Sequence, residues 1–146
     1  MRRIARITLV GWVTAGALMG LPALAAGQDA PEQQAVEAAK VWLTLVDAGS
    51  YAESWDATAP VFQAAVTKQG WEDSLNQVRK PLGTLGSREL AAAEFTTDLP
   101  NAPKGEYVVI RFQTSFENLA SAIETVVPVR TDDGTWKVSG YFIAPQ

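Results

Sequence analysis

Acid–base chemistry in this chain can rest only on carboxylates, tyrosines, lysines or bound water, because its 146 residues include no histidine and no cysteine. Ser-His-Asp and Cys-His catalysis, thiol nucleophiles, disulfide stapling and the usual zinc sites each need a residue that is missing. Two aspartates, Asp47 and Asp56, fall near the ends of helical segments, with Trp55 and Trp71 close in the pattern. A carboxylate held in an apolar cavity could act as a general base, with Tyr51, Tyr107 or Tyr141 as a neutral oxyanion donor, the division of labour used by ketosteroid isomerase. The bland alternative is that an Asp near a helix end is solvated or caps the helix, and that the tryptophans fill the gap between helix and sheet.

A second constellation lies on strands. Tyr107, Arg111, Gln113, Glu124 and Tyr141 are expected on the polar face of a sheet, where aromatics and Arg are the types enriched in recognition surfaces. The ordinary reading of Arg111 is a solvated cross-strand pair with Glu124, worth at most about 1 kcal/mol.

These residues need elements to carry them. Val36, Ala39, Leu43 and Val46 recur at helical spacing, with Asp29 and Glu32 as a capping box and Gly49 as the stop. Ser50 with Glu53 opens a short second helix, Pro60 a third, and "GWEDSLNQVRKPLG" supplies a fourth. In that last segment Arg79 and Lys80 suit the negative end of the helix dipole, so neither "VRKPLG" nor the following "SREL" requires a function.

After Gly86 the period becomes two. In "EYVVIRFQTSFE", Val108, Ile110, Phe112, Thr114 and Phe116 share a face. A loop at Asn118-Leu119 would set Ile110 against Val127 and Phe112 against Thr125, and a loop over residues 131–134 would set Val127 against Val138 and Ile123 against Phe142. In that register Trp136, Val138 and Phe142 face the helices, and Glu124 and Tyr141 face away. Pro128 fits a middle strand only at a bulge or sheet end. The expected fold is α+β: N-terminal helices packed on one face of a curved antiparallel sheet of about four strands, cone-like in the manner of nuclear transport factor 2.

The first 25 residues read as a secretory signal peptide. Arg2, Arg3 and Arg6 precede an apolar run that Gly and Pro interrupt, and Ala23-Leu24-Ala25 offers a small-residue cleavage site. The absence of cysteine excludes a lipid-anchored lipoprotein. Residues 26–146 are then a single domain in the periplasm or medium, with no stable membrane insertion after cleavage. The leader holds three of the 12 Lys and Arg residues and none of the 16 Asp and Glu residues, so nine cations against 16 anions leave a net charge of −7. Such acidity disfavours nucleic acid.

The segments "VWLTLVDAGSYAESWDA", "VRKPLG", "SREL", "LPNAPKGEYVVIRFQTSFEN" and "DGTWKVSGYFI" occur in an order that resembles the bacterial family called domain of unknown function 4019, from Ala39 to Ala144. The resemblance implies an exported domain and carries over no catalytic residues. The leading expectation is therefore a non-enzymatic binding module for a small molecule or an envelope protein, without cofactor or metal. An isomerase-like or hydratase-like enzyme with an Asp base, and a structural or inhibitory domain working through the outer sheet face, stand beside it. A homodimer covering that face is also open.

Overall fold

The computed structural model describes residues 29–146; the proposed signal peptide lies outside them. Four helices come first: α1 (Pro31–Asp47), α2 (Tyr51–Asp56), α3 (Pro60–Ala65) and α4 (Lys68–Val78), followed by one 3-10 turn at Lys80–Leu82. Four strands follow, β1 (Leu85–Thr96), β2 (Tyr107–Phe116), β3 (Leu119–Arg130) and β4 (Trp136–Pro145), in one antiparallel sheet of order β1-β2-β3-β4. This is the α+β order expected from the change of period.

The start of α1 differs in detail from the expected capping box. Ala30 is the N-cap, Pro31 takes the first helical position, and the Ala30 N–H donates to Gln33 Oε1 at 3.3 Å. Its end follows expectation, since Gly49 adopts φ +76° and the Ser50 N–H reaches back to the Leu45 carbonyl. The fourth helix, α4, begins at Lys68, two residues ahead of the expected segment from Gly70, because Thr67 accepts from the Gly70 N–H and caps it.

Ala35, Val36, Ala39, Trp42, Leu43 and Val46 form the buried stripe of α1 and share one core with Val108, Ile110 and Phe112 of β2. The expected inner face of β2 is thus the buried one. A smaller cluster forms on the opposite side of the sheet, where Tyr107, Val127 and Val129 pack with Ala59.

The strand register departs from expectation by one residue, and every side chain of β3 changes face as a result. Phe116 pairs with Leu119, so the turn is Glu117-Asn118, and a bulge that adds one residue to β3 between Leu119 and Ala122 then sets Ile110 against Val126 and Phe112 against Glu124. Val126, Glu124 and Ala122 are fully buried on the helix side, while Ile123, Thr125, Val127 and Val129 take the outer side. Sequence periodicity could not separate the two registers, because β3 carries apolar residues on both faces. Pro128 does sit at a bulge: Val127 pairs with Gly140 and Pro128 with Val138, which leaves Ser139 as the extra residue of β4. Beyond it Tyr141 turns inward opposite Val126, and Phe142 turns outward opposite Thr125, 63% exposed. Phe142 is therefore not a core residue, and Tyr141 is not an outer-face one.

Candidate functional site

Five elements and the cap of a sixth converge between the helices and the sheet. Asp47 ends α1, Arg79 caps α4, and Arg88, Thr114, Glu124 and Tyr141 come from β1, β2, β3 and β4 in turn. Arg88 is the bridge. Its guanidinium donates to Asp47 Oδ2 at 2.7 Å and Oδ1 at 3.0 Å, and through Nε to Glu124 Oε1 at 2.7 Å. Thr114 donates its hydroxyl to the same Glu124 oxygen at 2.8 Å, and the Tyr141 hydroxyl donates to Glu124 Oε2. Arg79 donates to Asp47 Oδ1 at 3.2 Å and to the Gly83 carbonyl at 2.6 Å, and its guanidinium lies 4.4 Å from the centre of the Phe116 ring. Its Nε is buried without a partner.

The charges balance as two cations and two anions, which is the condition under which buried ions are tolerated. Burial pulls the Arg88 pKa down, but its hydrogen bonds and charge pairing with Asp47 and Glu124 outweigh that, and it ends above the ordinary guanidinium value. Tyr141 is held well above the ordinary phenol value, first by burial and then by the Glu124 carboxylate that accepts its hydrogen bond. Aromatic rings close the site on the helix side: Trp42 stands edge-on to Tyr141 at 5.3 Å, and Trp71 at 6.3 Å. Both indoles are fixed by α2, Trp42 donating to the Ser54 carbonyl at 2.9 Å and Trp71 to the Ser54 hydroxyl at 3.0 Å.

Chemically, this cluster is occupied by itself. Each oxygen of Asp47 and Glu124 accepts at least one hydrogen bond from a neighbouring side chain, and the Tyr141 proton is already placed on Glu124. A general base needs a free oxygen within reach of a substrate proton. Among the described residues no group of His, Cys, Asp or Glu is arranged to hold a metal ion.

The expected site residues thus divide. Glu124 and Tyr141 join Asp47 in the interior, and Trp71 packs against them, buried with Phe62 edge-on at 5.1 Å. Trp55 and Asp56 stay at the periphery, where Trp55 donates to the Val66 carbonyl at 2.8 Å and exposed Asp56 pairs with Lys68 at 2.9 Å. Three members of the proposed recognition surface remain on the outer face, but they do not act together. Tyr107 is buried and donates to the Pro103 carbonyl at 2.8 Å, and Gln113 donates to the Ser121 hydroxyl at 3.0 Å. Arg111 pairs with Glu94 at 3.7 Å, not with Glu124. Arg79 and Arg88 are the residues that sequence patterning missed. Helix-dipole logic accounts for Arg79 as a surface group, whereas it is 3% exposed. The signal for Arg88 was its alternation with Leu90, which places both on the inner face of β1 opposite Thr114 and Phe112.

The accessible concavities lie elsewhere. A groove of about 230 Å³ opens on the outer side of the sheet, with Phe62 and Ala65 of α3 on one wall, Leu99 on another, and Tyr107, Val127 and Phe142 as the floor. A wider trough of about 540 Å³ runs between α1 and β4 past Val41 and Trp136.

Residues 38–141 match the model of a family described as a protein of unknown function, DUF4019, and the chain belongs to that family. No curated protein matches the chain.

Proposed function

We propose that this protein is an exported, non-enzymatic binding module, cone-like in the manner of nuclear transport factor 2, whose outer groove takes a small and largely apolar molecule. The observation that carries the reading is Phe142, a large ring 63% exposed on the floor of a groove that is otherwise mostly apolar, with Asn101 and Ser139 as its polar side chains. A volume of about 230 Å³ suits a single ring or a short chain. The alternative, an enzyme with an aspartate base, is disfavoured by the saturation of Asp47 and Glu124.

Gly140 offers the test. A Cβ there would meet the Phe142 ring at 3.4 Å and Val127 at 3.6 Å, ordinary contact distances, so a β-carbon fits without displacing the backbone and atoms beyond it should extend into the groove. Titration of benzyl alcohol should shift the amide resonances of Val127, Gly140 and Phe142 first. Gly140→Leu should abolish those shifts while changing stability by less than about 1 kcal/mol. Shifts that spread evenly over the domain, or that survive Gly140→Leu, would remove the proposal.

Export rests on the arginine-led apolar run and the Ala23-Leu24-Ala25 site. The mature protein recovered from a bacterial envelope fraction should begin at Ala26 by N-terminal sequencing; recovery of Met1 at the N-terminus would contradict it.

A further inference from the structure

Among the described residues β1 pairs only with β2, so along its other side alternate residues present N–H and C=O groups with no described strand beyond them. The opposite edge of the sheet is partly closed, because the Ala59 N–H donates to the Val138 carbonyl at 2.8 Å. Bulges at Gly86 and Ala91 interrupt β1, and Ala92–Thr96 remains as a regular run.

Beside this edge lies an apolar shelf. Leu90 and Phe95 project from the inner face of β1 beyond the helix layer, 50% and 38% exposed, and Val36 of α1 faces Leu90 and Ala93 across a groove of about 240 Å³. Both sides of the edge are acidic. Glu32 and Glu37 line the groove from α1 with Lys40, which is tied to Glu37 at 3.1 Å, and on the other face of β1 Glu89 and Glu94 stand opposite Gln113 and Val109, where Arg111 is tied to Glu94 at 3.7 Å.

Open ladder groups, a strip of apolar side chains and surplus carboxylates together define what can dock. We infer that β1 accepts an extended segment of a partner protein as a fifth strand, with apolar residues alternating against the shelf and Lys or Arg on the other side. Main-chain hydrogen bonds would supply affinity, and the alternate side chains selectivity. A second copy of this chain fits less well, since an antiparallel β1 pair sets glutamates against glutamates.

The probe is a short capped peptide alternating valine and lysine, added to the folded domain while amide exchange is followed by NMR. Exchange should slow at alternate amides within Ala92–Thr96. N-methylation of alternate peptide amides should weaken binding roughly ten-fold, as should Glu89→Lys combined with Glu94→Lys in the protein. The proposal is overturned if β1 gains no protection, if the N-methylated peptide binds equally well, or if a valine–glutamate peptide does. It is likewise overturned if the protein alone forms a dimer that protects β1. Because the peptide comparisons use only the wild-type protein, they decide the matter even if the double variant misfolds.

Discussion

Arg88→Met should lower the unfolding free energy by about 3–5 kcal/mol, the usual cost of leaving a buried charge without its partner. Glu124 is fully buried, and without Arg88 it keeps only the Thr114 and Tyr141 hydroxyls, while Asp47 keeps Arg79. The stranded group is then Glu124. Combining Arg88→Met with Glu124→Leu should recover much of the loss, with a coupling of about 1–3 kcal/mol in the double-mutant cycle. Urea titrations of the four proteins measure both the loss and the coupling. A loss below about 1 kcal/mol for the single variant would mean that the cluster behaves as an exposed ion pair.

Tyr141→Phe keeps the ring between Trp42 and Trp71 and removes one hydrogen bond to a buried carboxylate, for an expected loss of about 1.5–3 kcal/mol. The same variant reports on alkaline behaviour. The Tyr141 pKa in the folded protein lies above the unfolded value of about 10, so its contribution is complete below that pH and is lost as pH rises beyond it, when only the unfolded phenol ionises. Wild type should therefore lose stability above about pH 10 more steeply than Tyr141→Phe. Burial raises Tyr51 as well, so the variant keeps a smaller slope of the same sign. Identical slopes in the two proteins would mean that Tyr141 ionises as freely folded as unfolded.

Local physics in the sequence was enough for the element order, the buried face of β2, the glycine stop after α1 and the bulge at Pro128. Those features depend on neighbours within a turn or a strand. The interior cluster was not readable in that way. Asp47 was marked for chemistry and Glu124 and Tyr141 for an outer surface, yet they meet inside because an extra residue of β3 just after the Glu117-Asn118 turn reverses the faces of β3, and the extra residue Ser139 reverses those of the end of β4. Leu119 reads equally well as loop or as the apolar mate of Phe116, and β3 has enough Ile and Val on both sides to satisfy either register. Arg79 and Arg88 make physical sense as buried cations only when carboxylates from α1 and β3 reach them, and those contacts span 32 and 36 residues of sequence.

The extra residue Ser139 in β4 has a consequence for how this chain can change over generations. Its hydroxyl donates to the Val127 carbonyl at 2.8 Å, and because it has no partner in the ladder, the residues on either side of it alternate as if it were absent. Loss of its codon would leave Gly140 following Val138 in regular alternation, with Tyr141 still inside against Glu124 and Phe142 still on the floor of the outer groove. The bulge therefore gives β4 one place where a residue can be lost without changing which of its side chains face the helices.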